Sequence, residues 1–172
     1  MEVTIRNAEI PDLPAILEIV NHAIEHTTAI YDYDKRSPET HREWFDEKIA
    51  GGFPVIVAET DGQVVGFGSY GTFKPKIGYR FSVEHSVYVA DGFTGKGIGT
   101  KLLKKLIAVA KAQKIHVMVG YIDTENSGSI VFHKQFGFVE SGVLREVGFK
   151  FGKWLSVSIM QLNLDESYNP GK

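Results

Sequence analysis

Cysteine is absent from this chain of 172 residues. That excludes disulfides, thiolate metal sites and a thiol nucleophile. Long basic runs are absent too, and the formal net charge is −2. A nucleic-acid partner needs clustered Lys and Arg, so none is expected. No apolar stretch approaches the roughly 20 residues of a membrane span, and no membrane partner is expected. The opening Met1-Glu2-Val3-Thr4-Ile5-Arg6 lacks the basic-then-apolar layout of a signal peptide, so a cytoplasmic protein is expected. Repeats, low-complexity segments and Pro/Ser linkers are missing as well. The length suits one domain over residues 1–165, followed by a flexible tail, 166–172.

What is present is a clear alternation of periodicities. Residues 3–6 read as a short strand. Residues 11–26 read as a helix whose Leu13, Ile16, Leu17, Val20 and Ile24 form one apolar stripe. Ser37-Pro38-Glu39 opens a second helix and Gly51-Gly52 ends it, with Trp44, Phe45 and Ile49 on the buried side. Strands at 54–59 and 64–73 flank the hairpin signal Asp61-Gly62, and a third strand spans 81–89. An amphipathic helix over 96–113 carries Ile98, Leu102, Leu106, Val109 and Ala110 in register. A strand (116–122), a helix (127–136) and two strands (139–149 and 154–164) complete the chain. The order β-α-α-β-β-β-α-β-α-β-β contains a strand–helix–strand crossover, so the sheet of this α/β chain must be mixed.

The most informative segment joins the strand ending at Val89 to the helix after it, through Gly92, Gly95, Gly97 and Gly99. Glycines let main chain approach a ligand closely. The first N–H groups of a helix lack internal partners and lie at the positive dipole end, which suits a phosphate. Lys96 and Lys101 add charge nearby. Such a turn can be purely structural. It can also be a nucleotide loop, but no Gly-Lys-Ser/Thr closes it, and the dinucleotide fingerprint lacks its third glycine at the proper spacing. The remaining reading is a cradle for the diphosphate of coenzyme A.

The turn resembles the acetyl-CoA motif of the GNAT acetyltransferases, Gln/Arg-x-x-Gly-x-Gly/Ala. It falls on Thr94, Gly95, Lys96, Gly97, Ile98 and Gly99, with Thr94 departing from the first position. Asn126 begins a segment ending Gly137-Phe138 that is similar to the family's Asn-containing helix. One branch is closer still, the phosphinothricin and methionine sulfoximine/sulfone acetyltransferases. Its features resemble Thr27-Thr28-Ala29-Ile30, Glu84-His85-Ser86-Val87-Tyr88-Val89, His116-Val117-Met118-Val119 and Lys150-Phe151-Gly152-Lys153-Trp154. The likeness runs from Ile5 to about Asp165.

This resemblance implies the GNAT fold, a mixed and mostly antiparallel sheet flanked by helices. It implies acetyl transfer from acetyl-CoA to the amino group of a small amino-acid-like molecule, in a homodimer with sites near the subunit interface. Implied cofactor contacts are Val87, Tyr88, Val89, Gly95, Lys96, Gly97, Ile98, Gly99, Thr100 and Asn126. Implied substrate contacts are Lys74, Pro75, Lys76, Glu84, His85 and Ser86, with Lys74 standing where the branch usually has Arg. Arg80 is a second candidate partner for a substrate carboxylate.

Strand alternation puts Phe81, Val83, His85, Val87 and Val89 on one face and Ser82, Glu84, Ser86 and Tyr88 on the other. Glu84 is the expected general base, because a protonated amine must lose a proton before attacking a thioester. It can equally be a solvated strand carboxylate. His133 sits where many members carry a Tyr that protonates the leaving thiolate, and it can equally be a packing histidine. His22 and His26 lie one helical turn apart without an evident third ligand, so no metal is expected. Another amine (a peptide N-terminus, a polyamine, an aminoglycoside) would use the same chemistry. A non-catalytic acyl-CoA-binding module would share the cradle alone.

Overall fold

The structure is a computed structural model describing residues 2–167 and 169–171. Met1 of the opening segment, and Tyr168 and Lys172 of the expected tail, lie outside the described residues. Among the described residues seven strands form one sheet in the order β1-β2-β3-β4-β5-β7-β6. They are β1 (Thr4–Asn7), β2 (Val55–Thr60), β3 (Gln63–Thr72), β4 (Ser82–Val89), β5 (Val117–Asp123), β6 (Val139–Lys150) and β7 (Lys153–Asn163). The helices are α1 (Leu13–His26), α2 (Pro38–Ala50), α3 (Ile98–Ala112) and α4 (Ser127–Lys134). Element order and the mixed sheet follow the expectation. Among the described residues only β4 and β5 pair in parallel, because α3 carries the chain from the end of one back to the start of the other. Short 3-10 turns at Ile10–Asp12 and Ile77–Tyr79 were not anticipated.

Local signals act as expected. Ser37 caps α2 by accepting the Thr40 N–H at 3.1 Å. Asp61 and Gly62 both take positive φ in the β2–β3 hairpin. One core lies between the sheet and α3, where Ile98, Leu102, Leu103, Leu106 and Ala110 are buried. Each Leu contributes about 2 kcal/mol of burial there. The other core lies under α1 and α2 around Ile16, Val20, Ile24, Phe45 and Phe67. The helix stripes need small corrections. Leu17 is only partly buried while Ile19 and Ala23 are inside. On α2, Ile49 is exposed and His41 fills the buried position, stacked on a half-buried Trp44. Neither His41 ring nitrogen has a hydrogen-bond partner among the described residues.

Candidate active site

The parallel pairing of β4 and β5 is short. It covers Ser82↔Val117, Val83↔Met118 and Glu84↔Val119, after which the strands separate. β4 meanwhile stays in unbroken antiparallel register with β3 through Val89. Its free side after Glu84 therefore borders a gap. Ala90 N–H bonds Val65 O across to β3, whereas Phe81 O accepts N–H bonds from the β5 side. By alternation the N–H groups of Val87 and Val89 face the gap, and that of Tyr88 faces β3. The gap opens into a cavity of about 900 Å³.

At one end of that cavity the glycine turn enters α3. Gly95 and Gly97 take φ of 75° and 78°, which only glycine adopts cheaply. Gly97 is the N-cap of α3 and provides no side-chain acceptor, and no acidic residue sits in the first turn. The N–H groups of Ile98, Gly99 and Thr100 thus stay open to an anion, and all three residues line the cavity. This uncapped terminus fits a diphosphate. Lys96 lies off the wall, its Nζ donating to Gly92 O at 2.8 Å. Asn126 is on the wall, but its side-chain oxygen caps α4 by accepting the Ser129 N–H at 3.0 Å.

Glu84, His85 and Ser86 occupy the point where the strands part. Glu84 is exposed on the cavity wall, with protein on its flanks. That partial burial pushes its pKa up, while the positive charges of Lys48 and then Lys74 pull it down. Lys74, Pro75 and Lys76 are exposed and do not line the cavity, and Arg80 lies outside as well, stacked over Phe81. Lys48, from α2, was not singled out in the sequence. A lysine on a helix is ordinarily a solvated one, so no local signal marks it.

His85 and His133 meet with their Nε2 atoms 2.9 Å apart. Nδ1 of His85 lies 2.9 Å from Val119 O, and Nδ1 of His133 lies 2.7 Å from Ser129 O. Each Nδ1 facing a carbonyl needs a proton, which leaves two lone pairs opposed at Nε2. One shared proton would turn that contact into a hydrogen bond. Burial holds both rings below the ordinary histidine value; for His85, burial first and the neighbouring His133 second bring it to about 4. The pair therefore has room for one extra proton at most. Both nitrogens of His133 are engaged, so it is not free to donate directly into the cavity from this arrangement.

The opposite wall is the loop after α1, with Thr28, Ala29 and Tyr31 on the cavity. It is held from the far end of the chain. Lys150 is 3% exposed, and its ammonium donates to Ile24 O, Thr27 O and Ile30 O at 2.6, 2.8 and 2.6 Å. Three carbonyls converging on one point suit a tetrahedral ammonium. Tyr33 OH donates to Phe149 O, and Thr28 OH donates to Asp123 on β5. Behind this loop a side cavity of about 160 Å³ meets the main one at Ala29, Ser86 and Tyr88. Trp44 and Phe67 line it, and Arg36 and Lys48 give it positive charge.

Among the described residues no group of three or more His, Asp or Glu could hold a metal ion, and no helix is long and apolar enough to cross a membrane. Residues 16–138 match the model of the acetyltransferase (GNAT) family. The chain is 46% identical over 166 residues to an L-methionine sulfoximine/L-methionine sulfone acetyltransferase of Pseudomonas paraeruginosa, covering 96% of each. It superposes on a GNAT superfamily phosphinothricin acetyltransferase from Sinorhizobium meliloti in complex with acetyl-CoA, with a TM-score of 0.93 and 33% identity over 96% of this chain and 90% of that one. A ribosomal-protein-alanine N-acetyltransferase from Brucella melitensis gives a TM-score of 0.92 and 46% identity over 93% and 99%.

Proposed function

The chain belongs to the acetyltransferase (GNAT) family and is an acetyl-CoA-dependent N-acetyltransferase, and from that premise we propose that it acetylates the α-amino group of small amino-acid-like molecules of the methionine sulfoximine, methionine sulfone or phosphinothricin type, with Glu84 as general base. One observation carries this reading. Glu84 lines the main cavity where β4 leaves β5, and Ser86, two residues on, is shared with the small side cavity that Arg36 and Lys48 line. The α3 amides would hold the diphosphate, and the N–H groups of Val87 and Val89 would meet the extended arm in the gap. The ammonium substrate gives a proton to Glu84, and the free amine then attacks the thioester carbonyl. Main-chain N–H donors beside that carbonyl stabilise its developing negative charge. The tetrahedral intermediate then collapses and the thiolate leaves; His133 lines the cavity, and serving as proton donor would require its ring to leave Ser129 O or His85. Arg36 and Lys48 suit a carboxylate or an oxidised sulfur or phosphorus group in the side cavity.

The protein acts as a homodimer in this reading. Val139, Val143, Leu144, Val147, Phe149, Phe151 and Trp154 leave an apolar, exposed surface along the β6–β7 hairpin, which a second copy would cover. Single-domain organisation over residues 1–165 and a cytoplasmic location belong to the same proposal.

The likeness to a ribosomal-protein-alanine N-acetyltransferase favours one alternative, a peptide N-terminus as acceptor. The small volume of the side cavity, about 160 Å³, speaks for a small substrate instead. Free-thiol release from acetyl-CoA, with mass analysis of the product, separates the two. Methionine sulfone and phosphinothricin should give the N-acetyl products, and peptides beginning with alanine should give none. Release dependent on peptide alone would overturn the small-substrate reading.

A further inference from the structure

Gly71 of β3 stands directly opposite Glu84 of β4. By the alternation anchored at Ala90 and Val65 the two form a hydrogen-bonded antiparallel pair. Directly opposite residues share a face, with Cβ positions about 5 Å apart. Gly71 has no Cβ, and its place is taken from α2. The Lys48 side chain runs down onto the strand, and its ammonium donates to Tyr70 O at 3.2 Å. A methyl built on Gly71 would collide with Lys48 Nζ, whereas the rest of the surroundings would admit it. The glycine is thus an opening through which a helix lysine reaches the cross-strand neighbour of Glu84. Its φ is not positive, so backbone strain does not explain it.

We propose that Lys48, admitted beside the sheet by Gly71, is the positioning residue that keeps the Glu84 carboxylate ionised and ready to accept a proton. This rests on Glu84 as general base. Without a nearby cation, partial burial would push the Glu84 carboxyl further up and shrink the fraction ionised at a given pH. The other groups facing Glu84 do not replace Lys48. Lys74 approaches from the exposed β3–β4 loop and has the smaller influence of the two lysines. Tyr88 on its own strand and Tyr121 on β5 are neutral, and burial holds their hydroxyls protonated. Arg36 shares the side cavity with Lys48 and is committed to Asp32 at 3.0 Å. The coupling is mutual. Burial lowers the pKa of Lys48, and Glu84 raises it.

The test is the titration midpoint of the Glu84 carboxyl in the free full-length protein, followed by isotope-edited NMR and assigned by its loss in Glu84→Gln. Lys48→Met should raise the midpoint by about one pH unit. Gly71→Ala should raise it in the same direction with Lys48 still in the chain, because its methyl displaces the ammonium. Lys48→Arg should leave the midpoint close to that of the unaltered protein. Should Lys48→Met fail to fold, Gly71→Ala against Lys48→Arg decides the matter. A midpoint that stays in place in Gly71→Ala and Lys48→Met overturns the assignment of Lys48. Normal turnover in Glu84→Gln would sink the general-base reading instead, whatever the midpoints do, so the two failures are distinguishable.

Discussion

At the α3 end of the cavity the groups available to a ligand are main-chain N–H donors from one contiguous stretch, Val87 to Thr100. The opposite end is built and held by side chains gathered from α2, β4, β5 and β6, many residues apart in the chain. The first end needs only glycines and a helix start, so it can hold any carrier with a diphosphate. The second end depends on how the helices and the β6–β7 hairpin dock, and in the proposed function the amine is chosen and deprotonated there. The difference separates carrier binding from acceptor chemistry, and substitutions should reveal the division.

The largest effect is expected at the acceptor end. Glu84→Gln should lower turnover by about 10² to 10⁴, the usual range for a general base. Acetyl-CoA affinity by calorimetry should hardly change. Turnover within a factor of about three at neutral pH would remove Glu84 from the chemistry.

Acid stability comes next, and it too belongs to the α2 side. Burial holds the His41 ring at a pKa of about 4, with Arg36 adding to the effect. The unfolded chain binds a proton near pH 6.5 that the folded chain refuses until about pH 4. Stability from this group is therefore complete above pH 6.5 and is lost as pH falls from there toward 4. The loss between pH 7.5 and pH 5 is about 2 kcal/mol. His41→Phe should flatten that part of a urea-unfolding profile measured against pH, and an unchanged slope would show that His41 carries its proton when folded.

Lys150→Met tests the loop wall. Carbonyls of Ile24, Thr27 and Ile30 would lose their shared donor. A stability loss of about 2 kcal/mol and a roughly tenfold rise in the amine KM are expected. Acetyl-CoA affinity should stay put, and a parallel loss there would mean that the two ends are not separable. Gly97→Ala is the converse probe and the smallest effect. A Cβ at φ 78° costs about 1 to 2 kcal/mol, so acetyl-CoA binding should weaken about tenfold. The amine KM at saturating acetyl-CoA should not move.

Legibility follows the same division. The β4 alternation was readable because side chains change face at every residue, and the structure keeps Val83 and His85 buried on the expected side. Continuity of the glycine turn with α3 made that end readable as a unit. Ile49 was misplaced because helical spacing on α2 is ambiguous, and the buried position went to His41. Lys48 could not be recognised, because its meaning depends on an absent side chain at residue 71 of another element. The quoted segment around Lys150 was noticed, but nothing in it says that the ammonium reaches the carbonyls after α1.

By itself the sequence determined the order of elements, the crossover that makes β4 and β5 parallel, and a glycine-rich entry into the helix that follows β4. These follow from local periodicity, glycine conformation and helix geometry, which act over a few residues. Tertiary structure alone decided where β4 and β5 part, which amides face the gap, and which distant cations approach Glu84. Those depend on how whole elements pack, because charge and hydrogen bonding act between atoms brought close in space, however far apart they lie along the chain.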